Sequence, residues 1–495
     1  MNEIIWSSYK DKPKQFWSYI KSRKQESFAI APLKKKDGLI HSSVKAEILN
    51  NQFQSVFTEK DPTTIPDKRP SPHPTMDSIT VHCNGVCKQL AGLNSHKSTG
   101  PDGISTAILK LAANELAPVL TRLYHCSLDS GEVPQDWRDA LVVPVFKKGE
   151  KHLPANYRPV SLTSIVCKVL EHIVSSSIMD FFDQHSLLTR CQHGFCAKRS
   201  CETQLLWTIQ TIANKLQGRG QVDVILLDFS KAFDKVPYQR LLHKLHFYGV
   251  RGSTLHWVES FLSNKKQRVQ LEGVKSKEAD VVLGVPQGSV LGPLLFLAYN
   301  NDLPEFVTHS ETRLFADDSL LFRFITSQHD ADLLQKDLSA LEKWESDWQM
   351  DFHPQKCTVL CISNNKRHRI DTFYMLHQHI LATEDSSKYL GVTVSDDLTW
   401  KKHINATATK GNHTLEFLRR NLHECTSQVK ASAYTTQVKP SLEYASSVRD
   451  PITAADANTL EQVQRKAAWY VTNRYTDRTP GCATQMIVDL GRQSL

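Results

Sequence analysis

Val222-Asp-Val-Ile-Leu-Leu-Asp228 is an apolar β-type run that ends in an acid, and Phe229-Ser-Lys-Ala-Phe233-Asp234 follows it with the look of a helix start. Two readings of Asp228 stand side by side. An acid at the end of a buried strand is well placed to hold a metal at a cleft, and Asp after a strand is also a common helix N-cap. Arg313-Leu-Phe-Ala-Asp317-Asp318-Ser-Leu-Leu-Phe322 is the second such stretch. Its apolar residues flank two adjacent acids, which predicts a hairpin with acids at the tip. Turn chemistry alone explains Asp-Asp-Ser in an isolated hairpin. The combination carries more: two apolar strands, each delivering carboxylate at one end, suit a pair of Mg²⁺ ions. Mg²⁺ prefers a few carboxylates, waters and substrate phosphates to an all-protein cage. Like-charged carboxylates this close are unfavourable without cations.

The rest of the chain limits the setting. Its 495 residues exceed one ordinary core and suggest about three lobes. The composition, 40% hydrophobic and 23% charged, is that of a soluble globular protein. Sixty Lys and Arg against 52 Asp and Glu give +8, which favours a polyanionic partner. The excess comes in short runs: Lys34-Lys35-Lys36, Lys147-Lys148, Lys265-Lys266-Gln-Arg268, Lys366-Arg367-His-Arg369 and Lys401-Lys402. A solvated surface explains each run taken alone. The 11 cysteines, without a basic and apolar leader at Met1, fit a reduced intracellular compartment, cytoplasm or nucleus, and not secretion. Cys83-x3-Cys87 and Cys357-x3-Cys361 lack the usual two-residue gap and a matching His pair, so they read as buried thiols and not zinc ligands. The stretch from Val281 to Tyr299 is broken by Pro286, Gln287, Gly288 and Pro293, and is no membrane span.

Residues 1–60 read as a helical N-terminal extension, with Phe16, Trp17 and Ile20, then Ile48, Phe53 and Phe57, at helical spacing. Five prolines at 62, 66, 70, 72 and 74 exclude a helix or central strand, so 61–84 reads as a linker. Helices and short strands alternate beyond about residue 85. From about residue 396 the spacing is helical, with Lys401, Lys402, Lys410, Arg419, Arg420, Arg465 and Lys466 on polar faces. Leu334, Leu338, Leu341, Trp344 and Trp348 form an apolar stripe that reads as core and not as a base-stacking platform.

Three stretches together resemble the successive palm motifs of reverse transcriptases: Leu226-Leu-Asp228-Phe-Ser-Lys-Ala-Phe233-Asp234, Gly284-Val-Pro-Gln287-Gly288-Ser-Val-Leu-Gly292-Pro293 and Phe315-Ala-Asp317-Asp318. Their order and spacing match the family. Ser98-Thr-Gly-Pro-Asp-Gly103-Ile, Pro144-Val-Phe-Lys147-Lys148-Gly, Asn156-Tyr-Arg158-Pro-Val-Ser-Leu and Gln192-His-Gly-Phe195 resemble its fingers motifs. Tyr389-Leu-Gly391-Val with Leu398-Thr-Trp400 resembles its primer-gripping segment. The likeness is to jockey-like, non-LTR (LINE-type) retrotransposons and runs from about Trp6 almost to Leu495.

The resemblance implies an α+β right-hand polymerase of fingers, palm with antiparallel sheet and helices, and α-helical thumb. It divides the chain into fingers with the start of the palm over 85–227, palm over 228–395 (the whole polymerase core over about 128–395) and thumb over 396–495. It implies an RNA-directed DNA polymerase that extends a primer 3′-hydroxyl with dNTPs on template RNA. Two Mg²⁺ ions, with Mn²⁺ as a substitute, would activate the hydroxyl and neutralise the pyrophosphate. Asp228, Asp317 and Asp318 would be the metal-binding catalytic acids. Lys147 or Lys148, with Arg158, would hold the triphosphate; an exposed basic hairpin is the plain alternative. Phe233 would lie beneath the incoming sugar, or simply be core. Gln287 and Gly288 would lie under the template–nucleotide pair, with a helix beginning near Ser289. Lys356 stands where related polymerases use a lysine to protonate pyrophosphate; a solvated lysine explains it as well.

Departures from the pattern are Cys196 where the family usually has Arg, and Arg449 and Arg492 where it usually has Trp. Autonomous elements of this type carry an endonuclease, of which no constellation is found here, and the chain stops inside a continuing motif. A decayed remnant that at most binds nucleic acid is therefore the alternative. An RNA-synthesising viral-type polymerase is disfavoured by Phe233.

Overall fold

Successive side chains of a strand point to opposite faces of its sheet, and Gln221–Asp228 (β1) buries both sets. Ile225 and Leu227 enter one apolar core with Leu321, Val359 and Cys361. Val222 and Val224 enter another with Leu320, Phe322, Leu360 and Ile362. Burial on both faces is why the run is apolar almost throughout. Its one interior acid, Asp223, is fully buried and accepts hydrogen bonds from the Thr372 and Tyr374 hydroxyls, each at 2.7 Å, and from the Gln221 amide at 2.9 Å.

The computed structural model describes residues 33–35, 38–40, 44–57, 64–217, 220–365, 367, 369–450, 453–475, 479 and 481–489. The helix expected around Phe16, Trp17 and Ile20, and Arg492, lie outside them. Glu311–Phe315 (β2), Asp318–Ile325 (β3), Thr358–Ser363 (β4) and Ala382–Glu384 (β5) join β1 in a five-stranded sheet of order β5-β4-β1-β3-β2. All neighbours are antiparallel except β4 and β5. The described residues thus mix helices with an antiparallel sheet, an α+β architecture. One face of the sheet is covered by Ile165–Gln184, Gly292–Asn300 (α1) and Gln328–Trp348 (α2). Leu334, Leu338, Leu341, Trp344 and Trp348 of α2 are buried core. The other face carries helix Cys201–Lys215 and, beyond a hairpin at 386–395, the helices Lys401–Asn421, Ser427–Gln437 and Ala454–Thr472. In these last helices Lys401, Lys402, Lys410, Arg419, Arg420 and Lys466 are exposed, and Arg465 is half-buried.

A second sheet flanks the first. Ala140–Phe146 pairs with Tyr157–Leu162 on one side and, in parallel, with Lys265–Leu271 on the other. Leu49 and Phe53 of helix Lys45–Gln54 pack on it against Val142, Tyr157 and Val269; Phe57 falls beyond that helix.

Several expectations are corrected. Residues 64–82 form neither helix nor strand, but they are no free linker. Lys68 bonds Asp302 at 2.7 Å, Met76 N–H donates to Gly249 at 2.9 Å, and Arg251 reaches Thr75 at 2.7 Å, so the strip is strapped to the body. The helix expected near Ser289 begins at Gly292. Before it, the Ser289 hydroxyl accepts from Gly292 N–H at 3.0 Å, and Glu171 accepts from Val290 and Leu291 N–H at 2.7 and 3.1 Å. These outside acceptors satisfy backbone donors that a first helical turn would leave orphaned. After Asp228 comes only a short 3-10 turn, Ala232–Asp234, and the helix starts at Tyr238. Lys265 is not solvated: it is buried, its ammonium 4.0 Å from the centre of the Phe261 ring. Cys357 and Cys361 are buried thiols, whereas Cys83 is exposed and Cys87 half-buried.

Candidate active site

The register of the central sheet decides the site. Asp318 is the direct partner of Asp228 across β3 and β1. Side chains of such partners have Cβ atoms about 5 Å apart. Asp318 is also paired with Phe315, which leaves Ala316-Asp317 as a two-residue hairpin loop. Three carboxylates therefore meet at one end of the sheet, from two segments about ninety residues apart in the chain.

Ala316 has φ 55°, a left-handed conformation that costs an L-residue roughly 1–2 kcal/mol. It is held from both sides. Its N–H donates to Gln192 Oε1 at 2.9 Å, and its carbonyl accepts from Asn300 Nδ2 at 2.9 Å. Asp228 is fixed through its backbone: its carbonyl accepts from His353 N–H at 2.8 Å, and its N–H points at Cys357 Sγ at 3.5 Å. Phe229 behind it stacks on Phe352 with centroids 4.4 Å apart. The same 352–356 segment brings Lys356 Nζ to 3.7 Å from Asp228 Oδ1.

Electrostatics follow from crowding. Asp317 and Asp318 open onto the cleft, yet the protein around them thins their hydration. That loss of solvent raises both carboxyls above the usual range, and the neighbouring Asp228, with Asp317 in the case of Asp318, adds to it. Asp318 is pushed up to about 6. Across the cleft, burial chiefly lowers Lys147, with the charges of Arg158 and Lys356 pushing the same way and Asp228 opposing them.

One cleft of about 630 Å³ is lined by Asp228, Asp317, Asp318, Lys356, Lys147, Lys148, Arg158, Phe233, Gln287 and Gly288. The ten residues given catalytic or nucleotide-binding roles from the sequence all line it. Lys147 and Arg158 come from the two ends of one hairpin loop, where Val145 pairs with Arg158. Phe233 is half-buried and stacks on Phe296 of α1, centroids 4.6 Å apart and planes at 21°. Gly288 has φ 106°, and a Cβ there would lie 2.7 Å from Ser161 O. The close approach it permits is thus to the strand carrying Arg158, where Ser161 N–H donates to Gln287 O at 2.7 Å.

The reverse transcriptase (RNA-dependent DNA polymerase) family matches residues 145–394, just over half of the chain. The chain belongs to the reverse transcriptase family. Among its curated relatives, the probable RNA-directed DNA polymerase from transposon BS of Drosophila melanogaster is 25% identical over 92% of the chain and 53% of its own length. The probable RNA-directed DNA polymerase from transposon X-element of the same species is 24% identical over 81% of the chain and 45% of itself. The RNA-directed DNA polymerase from mobile element jockey of Drosophila funebris is 26% identical over 88% and 47%. The chain spans about half the length of these relatives, and the likeness to jockey-type, non-LTR elements read from the motifs agrees with their names.

Some residues of the site were not singled out in the sequence. Asp234, half-buried in the cleft wall, accepts from Gln287 Nε2 at 2.8 Å, and burial raises its carboxyl. Gln192 was noticed only as part of a motif, and Asn300 not at all. A polar residue following the apolar run 294–299 was the available signal. Arg449, which stands where the family usually has Trp, is buried with its guanidinium donating to the carbonyls of Tyr444, at 2.9 Å, and Leu442. Cys196 is half-buried, and burial raises its thiol.

Proposed function

We propose that this chain is the RNA-directed DNA polymerase of a non-LTR retrotransposon, extending a primer 3′-hydroxyl with dNTPs on an RNA template. The observation that carries the proposal is the cleft: two carboxylates from register-paired strands, with that of Asp317 from the adjoining turn, face Lys147, Lys148 and Arg158 across it. In right-hand terms the five-stranded sheet is the palm, the sheet of 140–162 and 265–281 the fingers, and the helices from 401 onward the thumb.

The oxygen donors suit divalent cations in kind, while among the described residues no group of three or more His, Cys, Asp or Glu side chains is gathered as a metal site. Two of the three carboxyls are raised by burial and mutual repulsion, so the cluster lacks positive charge, and hard oxygen donors suit Mg²⁺. Asp228 and Asp317 would hold two ions, with Asp318 beside them. Ions held there would supply Lewis acidity to the attacking hydroxyl and charge neutralisation to the leaving pyrophosphate. The remaining work falls to side chains of this chain. Arg158, with Lys147 and Lys148, grips the triphosphate through charge-assisted hydrogen bonds. The Phe233 ring, braced by Phe296, presents an apolar edge beneath the sugar and leaves a ribose 2′-hydroxyl no partner. Gln287, held by Asp234, and Gly288 form the floor under the nascent pair. As the new phosphodiester forms and the bond to pyrophosphate breaks, Lys356 supplies a proton to the leaving oxygen.

Primer extension tests this reading. Purified protein with an RNA template, a DNA primer, dNTPs and Mg²⁺ is expected to add complementary nucleotides. Absence of templated incorporation, in protein shown to be folded and to bind the primer–template, refutes it. The decayed-remnant reading draws little support from Arg449, whose burial is matched by acceptors.

A further inference from the structure

A hairpin that carries two carboxylates at its tip through a two-residue loop has little slack. Loops of this length that follow the strand twist need positive φ, which glycine or asparagine supplies at least strain. Here the position is Ala316, and its conformation is imposed from outside. Gln192 Oε1 accepts from Ala316 N–H at 2.9 Å and from Gly194 N–H at 2.7 Å. Asn300 Nδ2 donates to Ala316 O at 2.9 Å. Gln192 and Asn300 are 1% and 0% exposed, so neither reaches the cleft.

The clamp is itself secured. Residues 191–194 run beside β2, with Leu314 N–H donating to Cys191 O and His193 N–H to Leu314 O, each at 2.9 Å. A Cβ on Gly194 would fall 2.4 Å from Ala316 N, so the approach needs glycine there. Asn301, next to Asn300, donates to Leu187 O at 2.8 Å and accepts from Thr189 N–H at 2.7 Å. The end of α1 thus fixes both the turn and the segment that leads to Gln192.

We infer that Gln192 and Asn300 are positioning residues for the metal-binding carboxylates. By holding both peptide groups of Ala316 they set the direction in which Asp317 leaves the turn and the place of Asp318 opposite Asp228. The inference rests on the metal-site reading given above. It assigns the Gln192-His-Gly-Phe195 stretch a task in carboxylate geometry, separate from any contact with nucleotide.

The test measures Mn²⁺ affinity by electron paramagnetic resonance of the free ion, alongside kcat and KM for a dNTP. Gln192→Met removes the acceptor at similar volume, and Gln192→Glu keeps it. Asn300→Ser shortens the donor and serves equally if Gln192→Met does not fold. Gln192→Met and Asn300→Ser are expected to weaken Mn²⁺ binding about tenfold or more and to lower kcat by a like factor, with KM for the dNTP within about twofold, since sub-ångström errors in a reacting geometry carry penalties of this order. Gln192→Glu is expected to stay within about threefold of wild type in Mn²⁺ affinity. Ala316→Gly, which adopts positive φ unaided, is expected to restore part of the loss in Gln192→Met. Unchanged Mn²⁺ affinity in folded Gln192→Met or Asn300→Ser overturns the inference, as does failure of Ala316→Gly to restore anything. Failure of the metal-site reading shows differently: wild type would bind no Mn²⁺, or Asp317→Asn would bind it as wild type does.

Discussion

In protein stripped of divalent ions, Asp318→Asn is expected to raise thermal stability at pH 7.5, to give about half that gain at pH 5, and to give none below about pH 4. The chief cause is the loss of hydration around the Asp318 carboxyl, to which the charges of Asp317, adjacent in the turn, and of Asp228, its register partner, add. Folding raises the Asp318 carboxyl from 3.8 to about 6. A raised acid binds protons more tightly in the folded state, so its contribution is fully favourable below the unfolded value and is lost as pH rises through about 6. In full, two pKa units correspond to roughly 3 kcal/mol. Asp318 is open to the cleft, and solvent screening halves this to about 1.5 kcal/mol. Coulomb's law gives a matching scale: two charges about 5 Å apart at an effective dielectric of about 20 repel by roughly 3 kcal/mol before screening. For a cooperative unit of roughly 150–250 residues, 1.5 kcal/mol shifts Tm by about 3–6 °C. Circular dichroism melts in EDTA at three pH values measure it. Added Mg²⁺ should stabilise wild type more than the variant at pH 7.5. A variant melting at or below wild type at pH 7.5 in EDTA refutes the argument that lost hydration and uncompensated carboxylate repulsion together load this site.

Asp228→Asn and Asp317→Asn are each expected to cut primer extension by about a thousandfold or more, some 4 kcal/mol in barrier; near-normal rates in either would remove that residue from the metal site. Phe233→Val should shift the ratio of kcat/KM for dCTP over CTP by at least about tenfold towards CTP, while losing the stack on Phe296 lowers stability by roughly 1–3 kcal/mol; an unchanged ratio would leave Phe233 as core alone. Gly288→Ala forces a Cβ to 2.7 Å from Ser161 O at φ 106°, so it should lower Tm and raise KM for dNTPs together, and a variant with wild-type values of both would show that the strand carrying Arg158 does not depend on that approach.

The sequence alone carried the strand 222–228, the acid-tipped hairpin, the α2 core stripe and the helical C-terminal region. Each is written in local periodicity: burial on both faces makes a continuous apolar run, and a helix repeats its apolar positions every three or four residues. Motif order then linked the acids into one site, because a family resemblance transmits contacts that no local pattern encodes. Helix starts were less legible. The helix expected near Ser289 begins at Gly292, and the Val290 and Leu291 N–H groups just before it are taken up by Glu171, over a hundred residues earlier in the chain. The strip after Pro62 read as a linker because proline removes regular structure, while its anchorage by Lys68 on buried Asp302 depends on a partner far along the chain.

What the sequence determined by itself, then, is which residues bear charge and which strands and helices deliver them. The tertiary structure decided how those residues face one another. The pairing of Asp318 with Asp228 is a matter of register, and a slip by one residue would turn every side chain of β3 to the other face. The grip on Ala316 of Gln192, 124 residues earlier in the chain, and of Asn300, 16 residues earlier, is made by hydrogen bonds inside the core. Such bonds follow from packing, since a buried amide bonds whichever peptide group the fold brings against it.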